Sequence, residues 1–175
     1  MADRGCVLHP DMTAPQLTVA RVDQSDPLAL PLLAELAVEY STRYGGTADQ
    51  LFEELAAYPA EEFATPHGGL IVILQDGESV AGGAFRRYDA QTAELKRIWT
   101  SARHRRRGLA RRVLVELEAA IADRGYTRIY LTTGWRQPEA VGLYLAAGYT
   151  PLFDPTTEPT EGVPRAFEKT TGVIE

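Results

Sequence analysis

Six arginines, Arg103, Arg105, Arg106, Arg107, Arg111 and Arg112, fall within ten residues of a chain whose formal net charge is −6, and His104 sits among them. Gly108 follows the run Arg105-Arg106-Arg107, and apolar positions then recur at helical spacing. Such a turn has the makings of an anion site. Glycine at a helix entry lets a ligand approach the backbone, and the unpaired N–H groups of the first turn meet it with the positive end of the helix dipole behind them. The plainer alternative is a solvated helix end. Against it, cations crowded at a helix N-terminus oppose the dipole, and a bound polyanion removes that conflict. The ligand is expected to carry phosphate.

The elements that must hold this turn are legible on both sides of it. Glu94 to Thr100 is rich in strand-forming residues, and Leu109, Val113, Leu117 and Ile121 lie at i+4 steps along a helix from about Arg107 to Arg124, widened by Leu114 and closed by Gly125. Upstream, Leu17 to Val22 alternates as a half-buried strand does. Asp26 before Pro27 opens an apolar helix that ends at Gly45-Gly46. Thr47 caps a second helix reaching Tyr58, with Leu51, Phe52, Leu55 and Ala56 on one face. The aromatics Tyr40, Tyr44, Phe52 and Tyr58 of this pair serve either as packing or as the wall of a substrate pocket. Gly69 to Gln75, the turn Asp76-Gly77 and Ser79 to Tyr88 form a hairpin, and the strand of Glu94 extends it to a three-stranded antiparallel meander. Gly82-Gly83 within it mark a bulge or a close backbone contact; no helix follows, so a dinucleotide fingerprint is unsupported. Downstream come a strand from Arg128 to Thr133, a turn at Gly134, a short helix from Pro138 to Ala147, an acidic turn-rich stretch from Asp154 to Pro164 and a last strand near Ala166 to Thr170.

Composition narrows the setting. A chain of 175 residues is most simply one domain, here 15–175 after a flexible lead-in at 1–14, and 45% hydrophobic with 24% charged residues is ordinary for a globular protein. The acidic balance argues against a general nucleic-acid binder. The single cysteine, Cys6, rules out an internal disulfide and points to a reducing cytoplasm. No apolar run approaches the roughly 18 residues of a membrane span. His9, His67 and His104 lack ligand spacing, so no metal is expected, and neither a G-x-S-x-G elbow nor a Walker loop occurs.

Arg105-Arg106-Arg107-Gly108-Leu109-Ala110 resembles the R-x-x-G-x-G/A pyrophosphate loop of the GNAT superfamily of N-acetyltransferases, and it stands between a strand and a long helix as that loop does. The order around it agrees: Glu94 to Trp99 before it, then Gly125-Tyr126 to Thr133, Gln137-Pro138-Glu139-Ala140, Leu143-Tyr144 and Gly148-Tyr149. The resemblance implies an α/β (α+β) fold whose largely antiparallel central sheet has splayed central strands flanked by helices. It implies acetyl-CoA as cofactor, its pantetheine arm held by strand backbone at Ile98, Trp99 and Thr100. Its pyrophosphate would be held by N–H groups from Arg105 to Ala110, with help from the side chains of Arg105, Arg106, Arg107 and Arg111. Gln137 stands where the family often has Asn.

Acyl transfer to an amine needs two proton movements. A primary amine with a pKa of about 10 must lose a proton, and the departing thiolate gains from receiving one. The resemblance assigns the first to Glu94, through water, and the second to Tyr144. Plainer roles exist for both: Glu94 as an ion-pair partner beside Lys96 and Arg97, Tyr144 as a packed aromatic in the stripe of Ala140, Val141 and Leu145. The acceptor is a small-molecule or peptide amine, and a homodimer is left open. Glu53, Glu54, Asp154, Glu158 and Glu161 could draw in a cationic amine, although surface acids in an acidic protein usually serve only solubility. The competing class is a non-catalytic module that binds acyl-CoA or nucleic acid through the same arginines.

Overall fold

The computed structural model describes residues 14–172, so Cys6, His9 and nearly all of the lead-in lie outside it. Seven strands form one sheet: β1 (Leu17–Arg21), β2 (Gly69–Gln75), β3 (Glu78–Arg87), β4 (Thr92–Thr100), β5 (Arg128–Thr133), β6 (Thr150–Pro151) and β7 (Arg165–Thr170), in the order β1-β2-β3-β4-β5-β7-β6. Every neighbouring pair is antiparallel except β4 with β5. The helices are α1 (Leu30–Tyr44), α2 (Ala48–Ala57), α3 (Leu109–Asp123) and α4 (Pro138–Ala146). The two-residue β6 is too short to announce itself in sequence, and nothing local says that β7 inserts between it and β5.

Local chemistry sets the helix starts. Asp26 accepts from the Leu28 N–H at 2.8 Å and caps a single 3-10 turn, Pro27–Ala29, rather than α1 itself. Pro31 has no N–H to give the Pro27 carbonyl, so the α-helical ladder begins only at Leu30. Thr47 and Gln50 form a reciprocal capping box on α2. The expected start of α3 at Arg107 moves to Leu109. Arg106 and Gly108 both take left-handed backbone, at φ 62° and 73°, which holds Arg107 out of the helix.

The core lies on both faces of the sheet. On one, the whole predicted stripe of α3, Leu109, Val113, Leu114, Leu117 and Ile121, is buried and shares a cluster with Leu95, Ile129 and Phe167. On the other, Leu32, Leu33 and Leu36 of α1 close over Trp99. No residue of α2 is buried: Leu51, Phe52 and Leu55 are only half covered and Ala56 is exposed.

Two irregularities of β4 shape everything that follows. Gly82 pairs with Trp99 and Ala84 with Lys96, so Arg97 and Ile98 together oppose Gly83, and Arg97 is left-handed at φ 61°. Opposite this bulge the space is tight, since a Cβ on Gly83 would meet Ile98 Cδ1 at 2.7 Å and Leu117 Cδ1 at 3.0 Å and would force them to move. The second irregularity is at the other edge. Pairing with β5 covers only Thr92↔Arg128, Ala93↔Ile129 and Glu94↔Tyr130, although β4 runs on to Thr100 and β5 to Thr133. Beyond Glu94 the two strands part.

Candidate active site

The gap between β4 and β5 opens into two adjoining cavities. A cleft of about 350 Å³ runs from Leu95 to Thr100 on β4 down to Arg105, Arg106 and Gly108, and is closed by Ala140, Leu143 and Tyr144 of α4. A wider space of about 540 Å³ lies towards α1 and α2, walled by Tyr40, Tyr44, Tyr58 and Phe63. Tyr40, Leu95, Lys96, Arg97, Thr132, Thr133 and Gln137 line both.

At the narrow end the first backbone bond into α3 is Arg112 N–H to the Gly108 carbonyl, at 3.1 Å. Leu109, Ala110 and Arg111 therefore have no helical acceptor for their N–H groups. A Cβ on Gly108 would meet nothing within 4 Å, so the space above the turn is open. The arginine cluster divides. Arg105, Arg106 and Arg111 line the cleft, and Arg111 Nη1 donates to the Ala146 carbonyl at 2.9 Å, tying α3 to α4. Arg103, Arg107 and Arg112 do not line the cleft; Arg112 pairs with Glu116 one turn on, at 3.1 Å. Two buried hydroxyls, Thr100 Oγ1 and Thr133 Oγ1, line the cleft with no hydrogen-bond partner among the described residues. Gln137 Oε1 accepts from the Gly134 N–H at 2.8 Å, which fixes the entry to α4.

Glu94 is buried, 7% exposed, and lines the wider cavity. Its Oε2 accepts from Arg86 Nε at 3.1 Å and Nη2 at 2.9 Å, while Lys96 Nζ stands 3.6 Å from Oε1. The second sequence neighbour, Arg97, is not its partner. The bulge turns Arg97 towards α2, whereas Arg86, which the sequence did not single out, reaches across from β3. Trp99 is also reoriented: its ring packs on α1 and its Nε1 donates to Glu35 Oε2 at 2.7 Å, so towards the cleft it has backbone to offer. Ile98 packs with the α3 cluster.

Tyr144 lines the cleft, with its ring against Tyr149 and Phe167, and its hydroxyl has no hydrogen-bond partner among the described residues. Burial raises its pKa, so the hydroxyl keeps its proton through the neutral range. Tyr40 is pushed up to about 12, again by burial. The acids Glu53, Glu54, Asp154, Glu158 and Glu161 are all exposed and line neither cavity, so the expectation that they draw in a cationic amine finds no place at the site.

The parting of β4 from β5 above a basic helix entry is what the resemblance implied, and the model of the GNAT family of acetyltransferases matches residues 32–149. The chain belongs to the GNAT family. YsnE, an uncharacterised N-acetyltransferase of Bacillus subtilis, is 40% identical over 60 residues, which are 34% of this chain and 40% of that protein. The chain thus spans well under half the length of this curated relative. Among solved structures it is similar to PaiA N-acetyltransferase of Thermoplasma acidophilum in complex with coenzyme A, with a TM-score of 0.69 and 16% identity over 89% of this chain and 99% of that one. YncA of Salmonella typhimurium, solved with its cofactor acetyl-CoA, gives a TM-score of 0.65 and 16% identity over 90% and 95%. At that identity the likeness is one of fold: the α/β GNAT fold of this acetyltransferase family.

Proposed function

We propose that this chain transfers the acetyl group of acetyl-CoA to a primary amine by direct attack within a ternary complex. The observation that carries this is the parting of β4 from β5 beyond Glu94, which opens a continuous path from the arginine turn to Glu94. Acetyl-CoA supplies an activated thioester. The cleft suits such a molecule: free N–H groups at Leu109 to Arg111 with Arg105, Arg106 and Arg111 fit a pyrophosphate. The orphaned hydroxyls of Thr100 and Thr133, with the backbone of Ile98 to Thr100 and Gln137, fit an arm that carries amides. Arg107 lies outside this lining and contributes charge near the loop.

Glu94 serves as the base. Its Oε1 is the oxygen that Arg86 leaves open, and it takes the ammonium proton through water, which frees the nitrogen lone pair to form the bond to the acyl carbon. Tyr144 serves as the acid, giving its hydroxyl proton to sulfur as the carbon–sulfur bond breaks, and the second proton that nitrogen sheds on becoming an amide restores the hydroxyl. A cytoplasmic setting fits both co-substrates, and among the described residues no helix is long and apolar enough to cross a membrane. The test is thiol release from acetyl-CoA against amino acids, polyamines, aminoglycosides and peptides. Saturable acetyl-CoA binding without thiol release from any of them would leave a binding module.

A further inference from the structure

We infer that the acceptor amine also carries a carboxylate, held by Arg97 at the base of the wider cavity; this rests on the acetyl-transfer reading of the same site. Arg97 is a buried cation, 8% exposed. Nη1 donates to Gln24 Oε1 at 2.6 Å and Nη2 to the Leu55 carbonyl at 2.8 Å, and the guanidinium lies 4.8 Å from the Phe63 ring centre and 5.4 Å from that of Tyr58. All four partners are neutral. Among the described residues no carboxylate lies within ion-pair distance of it. Two hydrogen bonds leave most of the guanidinium's donors unused, and a buried charge without a counter-charge is costly. Desolvation accordingly lowers its pKa.

The rest of the lining makes the imbalance specific. Its charged groups are Glu94, Lys96 and Arg97, and Glu94 is already engaged by Arg86 and approached by Lys96. In a protein of net charge −6 this cavity is therefore locally cationic. Glu62, the other carboxylate of the network, is taken by Arg86 at 3.2 Å and by the Tyr58 hydroxyl at 2.6 Å. The remaining walls, Tyr40, Tyr44, Tyr58, Phe63, Leu51 and Leu55, are aromatic or apolar. One amine-bearing molecule meets all of these: an amino acid with an apolar side chain, its carboxylate on Arg97 and its side chain against the rings.

The experiment compares thiol release from acetyl-CoA for an apolar α-amino acid, its methyl ester, its decarboxylated amine and the matching aminophosphonate, with rates corrected for the free-amine fraction. The acid should exceed the ester and the decarboxylated amine in kcat/KM by roughly 10- to 100-fold, as expected of a charge-assisted hydrogen bond. Arg97→Met, shown to be folded by its thermal melt, should bring that ratio close to one. Equal rates, or a preference for the ester or aminophosphonate, overturn the carboxylate. A ratio unchanged in folded Arg97→Met overturns the part given to Arg97, and if that variant does not fold the four wild-type comparisons still decide. Silence with every amine tells against acetyl transfer instead. Calorimetric titration of the acid and its ester into the protein with coenzyme A then decides: tighter binding of the acid supports the inference, and no preference overturns it.

Discussion

Glu94→Gln tests the base at the atom that would act. Glu94 Oε2 carries both bonds from Arg86, at 3.1 and 2.9 Å, whereas Lys96 Nζ at 3.6 Å is too distant to hydrogen-bond Oε1. Gln keeps an oxygen for Arg86 but not the charge, so two bonds between opposite charges become bonds from a cation to a neutral amide, at a cost of about 1–2 kcal/mol. Arg86 retains Glu62 at 3.2 Å, so the fold survives that loss against a typical stability of about 5–15 kcal/mol. The catalytic loss is larger, roughly 10²- to 10⁴-fold in kcat for a general base. At neutral pH only about one primary amine in a thousand is free, so the variant's rate should climb about tenfold per pH unit towards the amine pKa, while the wild-type rate flattens earlier. The assay is thiol release at saturating acetyl-CoA across that range, with thermal melts alongside. A kcat within about threefold of wild type and an unchanged pH profile, accompanied by a lower Tm, would reduce Glu94 to an anchor for Arg86.

Tyr144→Phe keeps the ring on Tyr149 and Phe167 and removes only the proton, so kcat should fall about 10²-fold or more with Tm nearly unchanged; equal turnover at saturating acetyl-CoA rejects the acid role. Gly83→Val forces side chains against Ile98, Leu117 and Val113, 2.7 to 3.1 Å from the new Cβ, and should cost about 1–3 kcal/mol in denaturant unfolding and raise the KM for acetyl-CoA as the bulge shifts. Tyr40, about 12 in the folded protein against an ordinary value near 10, keeps its proton where the unfolded chain loses it, so the stability it contributes is full below pH ~10 and is lost up to pH ~12. Tyr40→Phe should flatten the fall in Tm over that window.

What the sequence determined is what is local. Capping at Thr47, the Asp76-Gly77 hairpin, the buried stripe of α3 and the arginine turn depend on residues a few positions apart, and each is found where the spacing puts it. The GNAT resemblance rested on the same short-range order. The site's charge balance was not local. A period-2 strand would put Glu94, Lys96, Ile98 and Thr100 on one face; the bulge opposite Gly83 inserts one residue and changes the face of everything after it. Glu94 and Lys96 thus pair on the side of α1, Ile98 joins the core under α3, and Arg97 turns inward to Gln24, 73 residues away in sequence. Gly82-Gly83 signalled the irregularity but not which strand would carry it. Which cation reaches Glu94, and which is left without a carboxylate, depends on strand register and packing, and these are fixed only when distant segments close on one another.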